Sequence, residues 1–124
     1  MSRSRRPATA AFALVAAVSL VVLFSPDDAA PASGVPHLDK VVHLTLFALL
    51  AATARWRFGP APAVLLAVCA YAPLSELVQG LALPGRHADW HDVVADLVGV
   101  TAGWLLASRL LQRRAGRPRA AASR

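Results

Sequence analysis

Only one cysteine, Cys69, occurs among the 124 residues, so neither an intrachain disulfide nor a structural zinc site built on thiolates can form. It lies within an apolar stretch and reads as a small buried apolar residue. Charge is scarce: Asp, Glu, Lys and Arg together make up 16% of the chain, against roughly a quarter in soluble domains. Lysine is almost missing, since twelve of the 13 basic residues are Arg and Lys40 is the exception. No coiled-coil heptad and no internal repeat of the transporter kind runs through the sequence. Beside its apolar stretches, these residues leave no room for a separate soluble catalytic domain.

Apolar residues are what the chain has in abundance, at 56% against roughly 45–50% in soluble domains. They fall into four runs, and the predicted fold is all-α, an integral membrane bundle of four transmembrane helices. The expected helices cover about 8–24, 38–54, 62–83 and 92–111, with a basic tail at 112–124. The first run is just long enough to span, since roughly 17–25 residues are needed. A secretory signal with a cleavage site at Ala30-Pro31-Ala32 is the rival reading, but the run exceeds the usual 7–15 residues of a signal core. Removing it leaves the orientation of the other helices unchanged. Pro73 falls inside the third helix and predicts a kink.

The formal charge of +6 and a pI near 11.3 would suit nucleic acid. The positions of the charges exclude that partner, because the basic residues flank the apolar runs. Arg3, Arg5 and Arg6 precede the first helix, and Arg55 and Arg57 close the second. Arg109, Arg113, Arg114, Arg117, Arg119 and Arg124 end the chain. If every helix spans, these eleven share one membrane side and only Lys40 and Arg86 lie on the other. Cytoplasmic loops carry the excess of Lys and Arg, so both termini are expected in the cytoplasm. Trp56 and Trp90 then fall at opposite water interfaces, where indole is favoured.

Neighbouring spans run antiparallel, so the start of the second helix, the end of the third and the start of the fourth meet at the extracytoplasmic face. Those places hold Asp39, Lys40, His43, Glu76, Gln79, Arg86, Asp89, Asp92 and Asp96. Asp39 and His43 are four apart and share a helix face, as do Glu76 and Gln79 at three. Asp89, Asp92 and Asp96 are spaced three and four. Gly99 and Gly103 continue that face as a small-xxx-small pair that permits close helix approach. An ionised group facing lipid is disfavoured by about 2.5–3.5 kcal/mol at mid-membrane on the insertion scale, so the polar face should turn inward. Asp39 doubles as a candidate N-cap of the second helix. Lys40 and Arg86 flank Glu76 on either side, which predicts an ionised Glu76 paired with one of them.

The ordered set Asp39-Lys40-Val41-Val42-His43, Glu76-x-x-Gln79, Pro84-Gly85-Arg86-x-x-Asp89-x-x-Asp92 and Gly99-x-x-x-Gly103 resembles the VanZ-like family, over about Leu38 to Leu106. That family usually has Asn where this chain has Asp96. It is named for a protein associated with resistance to teicoplanin, a lipid-bearing glycopeptide, and most members have no assigned biochemical activity. The resemblance implies a bacterial plasma-membrane protein of the cell envelope. Membrane lipids are its expected surroundings, with a lipid headgroup, a cell-wall precursor or a lipoglycopeptide as ligand of the polar cluster. The alternative is an intramembrane enzyme on a lipid-linked substrate, with Glu76, His43 and Asp92 as acid/base groups. No nucleophile motif is present, Ser75 beside Glu76 being the one weak candidate. No cofactor is expected, and a divalent metal on carboxylates and His is a subsidiary option.

Overall fold

The computed structural model describes residues 5–25 and 36–116. Four helices account for nearly all of them: α1 Arg5–Phe24, α2 Leu38–Phe58, α3 Pro62–Ala82 and α4 Trp90–Ala115. There is no strand among the described residues. All four are long and apolar enough to cross a membrane. The cleavage site considered at Ala30–Ala32 and the last eight residues of the basic tail lie outside the described residues.

Local chemistry sets the helix ends. α2 does not stop near Ala54 but continues through Arg55, Trp56, Arg57 and Phe58. Its terminator is Gly59, at φ 75°, whose N–H donates to the Arg55 carbonyl at 3.0 Å. A positive φ of this kind is costly for any residue with a Cβ. The added turn is also held from outside. Arg55 Nε donates to Ser108 Oγ of α4 at 2.9 Å, and the Phe58 ring meets Phe12 of α1 edge to face, with centroids 5.2 Å apart. Pro62 opens α3, where its missing N–H costs nothing. Pro73 lies inside α3, and the helix continues through it to Ala82. α4 begins at Trp90, two residues earlier than expected, because Asp89 caps it by accepting from the His91 N–H. It reaches Ala115, so the first residues of the expected tail are helical. Asp92 in its first turn and Arg113 and Arg114 in its last suit the helix dipole at both ends.

α2 and α4 form the most extensive pairing in the bundle. The pairs Lys40–Asp92, His43–Asp96 and Arg55–Ser108 are offset by 52, 53 and 53 residues. A nearly constant offset means that the two helices run parallel, side by side. Gly99 and Gly103 make this possible. A Cβ at Gly99 would run into the Leu44 carbonyl, and one at Gly103 into the Ala48 carbonyl. The backbones meet where small residues let them.

The core is small and lies toward the middle of the spans: Leu23, Leu46, Phe47, Leu50, Ala51, Ala54, Val68, Ala72 and Val100. Most other large apolar side chains point outward, with Leu81 80% exposed and Leu66 69% exposed. So much exposed apolar surface marks a face that meets something apolar, and with four spanning helices that something is lipid. This is a multi-pass membrane protein.

Candidate functional site

At the end of the bundle where α2 and α4 begin and α3 ends, the polar side chains form two layers. The layer nearer the helix ends is built around Lys40. Its ammonium donates to Asp39 Oδ2 at 3.3 Å, Asp89 Oδ2 at 3.0 Å and Asp92 Oδ1 at 3.0 Å. An ammonium has three hydrogens, and each has a carboxylate acceptor. Asp39 lies in the first turn of α2 but is not its cap: the N-cap position is His37, and no side chain caps it. The capping role falls to Asp89 at α4, which sits outside the spans. The N–H of His91, followed by the Lys40 ammonium and the His91 ring, holds the Asp89 carboxyl well below the usual carboxylate range.

The second layer is one turn deeper and buried. His43, Glu76, Asp92 and Asp96 are 4%, 3%, 8% and 0% exposed. His43 Nδ1 lies 3.0 Å from Asp96 Oδ1, the ring N–H donating and the carboxylate accepting. This is the i, i+53 counterpart of the lysine contact and follows from the same parallel register. Glu76 Oε1 accepts the backbone N–H of Asp89, which ties the end of α3 to the start of α4. Two carboxylate oxygens here, Glu76 Oε2 and Asp96 Oδ2, are buried without a hydrogen-bond partner. Such groups are rare in folded proteins and call for an explanation.

The structure thus brings Asp39, Lys40, His43, Glu76, Asp89, Asp92 and Asp96 together at one end. Besides the cap of α2, two further expectations are corrected. Lys40 does not pair with Glu76, because its three donors go to aspartates on α2 and α4. Gln79 also departs from the cluster, since its Nε2 donates to the Leu23 carbonyl of α1 at 2.7 Å. That carbonyl lies in the last turn of α1 and has no acceptor role within its own helix. Gln79 therefore anchors the end of α1 to the bundle. Arg86 lies in the α3–α4 connection, its side chain partly buried. Ser75 is buried and donates to the Ala72 carbonyl of its own helix at 2.9 Å. His91, outside the set of residues expected from the sequence, also belongs to the layer around Lys40. It contributes both its N–H and its ring to Asp89 and stacks on Trp90 at 3.9 Å. The signal available was the Asp-x-His spacing at a helix start.

A family model described as VanZ/LLP1 matches residues 4–112. No curated protein and no solved structure matches the chain.

Proposed function

The chain belongs to the VanZ/LLP1 family, and from that premise we propose that it is a non-enzymatic binding protein of the bacterial cell envelope. The polar end of the bundle faces away from the cytoplasm and holds the polar head of an amphiphile: a lipid, a cell-wall precursor or a lipoglycopeptide. A link to teicoplanin-type resistance is part of this reading. What supports it is the pair of buried, unpartnered oxygens on Glu76 and Asp96, placed where three helices end together. Among the described residues nothing hydrogen-bonds to these two oxygens, which leaves acceptors for a bound group. An apolar cleft of about 490 Å³ between α1, α2 and α3, lined by Phe12, Leu50, Phe58, Val64 and Tyr71 among others, runs from mid-bundle toward the opposite end and would take only the far part of a long chain.

Charge narrows the head group. Five carboxylates share this end with Lys40, His43 and Arg86, and Lys40 has its donors committed. A bare anionic head would have to displace aspartates from that lysine. Ammonium and hydroxyl groups match the acceptors directly, and an anionic head needs a cation between it and the carboxylates. The test uses the purified protein in nanodiscs with a fluorescent lipoglycopeptide, a lipid-linked cell-wall precursor and plain anionic lipid as probes. Saturable binding of one of the first two, at least tenfold tighter than to the anionic lipid, is expected. Absence of binding to all three, with cell sensitivity unchanged on deletion, would overturn the reading.

Sidedness has its own check. With Cys69 replaced by Ala, a cysteine at Ala88 should react with an impermeant thiol reagent added from outside, and one at Gly59 should not. The reverse pattern would place the polar end in the cytoplasm.

A second reading, an intramembrane enzyme on a lipid-linked substrate, is favoured by one observation. The His43–Asp96 pair beside Glu76 is an oriented imidazole next to a carboxylate, an arrangement suited to proton transfer. Ser75 is turned to its own helix, so the nucleophile in this reading is water. Turnover of such a substrate, lost in Glu76→Gln, would decide for it.

A further inference from the structure

We propose that His43, Glu76 and Asp92 form a binding site for one divalent transition-metal cation of the Zn²⁺ or Mn²⁺ class. One ligand atom from each lies within 4.8 Å of the other two, and all three residues are buried. Three residues can cluster without binding anything, so the argument rests on how each of them is held.

Every candidate ligand has one polar atom tied to a supporting partner and one left over. His43 Nδ1 is engaged by Asp96 Oδ1 at 3.0 Å, which leaves Nε2. Asp92 Oδ1 is engaged by Lys40 Nζ at 3.0 Å, which leaves Oδ2. Glu76 Oε1 is engaged by the Asp89 N–H, which leaves Oε2, and Oε2 is buried without a hydrogen-bond partner. This is the outer layer that metal sites have: a carboxylate on the far nitrogen of the ligating histidine, and donors on the far oxygens of the ligating carboxylates. It fixes the imidazole with its coordinating lone pair on Nε2. The unpartnered Glu76 oxygen is the observation that a purely structural cluster does not account for.

Size and charge agree. Donors about 2.0–2.2 Å from Zn²⁺ lie roughly 3–4 Å from each other; one ligand atom from each residue lies within 4.8 Å of the other two, so side-chain rotation of about 1 Å closes the set. Imidazole among the ligands favours a transition metal over Ca²⁺, which takes about 6–8 oxygens. Two positive charges also offset the carboxylate excess that Lys40 and Arg86 leave at this end. Three protein ligands leave an open position, as in metal sites that take a further oxygen. On the binding reading above, which this inference extends, that position receives a hydroxyl or phosphate oxygen of the head group. The cation then gives an acidic site a means of holding an anionic head.

Metal binding is measured without any amphiphile, so the two proposals fail separately. Protein stripped with chelator is titrated with Zn²⁺ by calorimetry in detergent. One equivalent is expected to bind, with a rise in unfolding temperature. His43→Ala and Glu76→Gln should weaken binding at least tenfold. Asp96→Asn should weaken it by about 10–100-fold, as loss of an outer-layer partner does. Thr101→Ala, on the exposed side of α4, should leave it unchanged. Should a variant misfold, X-ray absorption on the Zn²⁺-loaded wild type reads the ligands directly, and one nitrogen with the rest oxygen is expected. A wild type that binds no Zn²⁺ or Mn²⁺ overturns the site and leaves water as the partner of Glu76, as does equal affinity in His43→Ala or a spectrum without imidazole. If the metal binds but none of the amphiphiles does, the metal site stands and the head-group reading falls. If an amphiphile binds equally well after chelation, the head-group reading stands and the cation has no part in holding the head.

Discussion

Asp96→Ala is expected to destabilise the bundle by roughly 2–5 kcal/mol, the largest loss of any single substitution at the polar end. Asp96 is fully buried, and His43, 4% exposed, is its hydrogen-bond partner. Removing the carboxylate leaves a buried ring N–H without an acceptor and a gap in the tightest part of the α2–α4 contact, one turn from Gly99. An opposing effect is relief of repulsion, since Asp92 and Glu76 lie close by. Relief is the smaller term, because Asp92 is already countered by Lys40 at 3.0 Å. Asp96→Asn separates charge from hydrogen bonding. Its amide oxygen can still accept from His43 Nδ1, so it should lose less than half as much. Chemical unfolding in detergent, followed by tryptophan fluorescence, compares the three proteins. An alanine variant no less stable than the asparagine variant would remove the His43–Asp96 contact from the list of what holds the bundle together.

How far the sequence can be read depends on which variable a feature rests on. Span number and the meeting of three helix ends rest on the lengths of apolar runs and on alternation of direction, both present in one dimension. The close α2–α4 approach rests on Gly99 and Gly103, whose spacing alone marks a contact face. What cannot be read is the rotation of each helix about its axis. Glu76 and Gln79 are three residues apart, a spacing that predicts one shared face. Three residues make about 300° of turn, and the remaining 60° is enough to send Glu76 toward α4 and Gln79 toward α1. Rotation also decides which acid receives Lys40. Both Glu76 and Asp92 lie within a plausible reach on the sequence, and only the parallel register of α2 and α4 selects Asp92. The end of α2 at Phe58 differs from the expected Ala54 for a related reason. Arg55-Trp56-Arg57 looks like an interfacial stop, yet polarity does not end a helix, and Gly59 does.

Because Lys40 is committed to α4 rather than α3, the energetic coupling of the polar end should follow the same division. Lys40→Met removes the charge and keeps most of the apolar stem. It leaves Asp39, Asp89 and Asp92 facing one another without a cation, and a loss of about 1–3 kcal/mol is expected. The lysine side chain is 29% exposed, so water screens part of the repulsion and keeps the effect below that of Asp96→Ala. Asp92→Asn alone should also destabilise, since its lysine partner is then held by the more exposed Asp39 and Asp89 only. Combining the two should recover part of the sum, with a coupling of about 0.5–3 kcal/mol, because neither charge is then left without the other. The parallel cycle of Lys40→Met with Glu76→Gln should show a distinctly smaller coupling, since Lys40 Nζ contacts Asp92 and not Glu76. Strict additivity in the Lys40–Asp92 cycle would mean that the ion pair contributes nothing to folding, and a larger coupling to Glu76 would mean that the lysine spends its time on α3. Run with and without Zn²⁺, the same cycle also probes the metal site. A cation on the far oxygen of Asp92 takes over part of the lysine's role as counter-charge, so Lys40→Met should be less damaging when the metal is present.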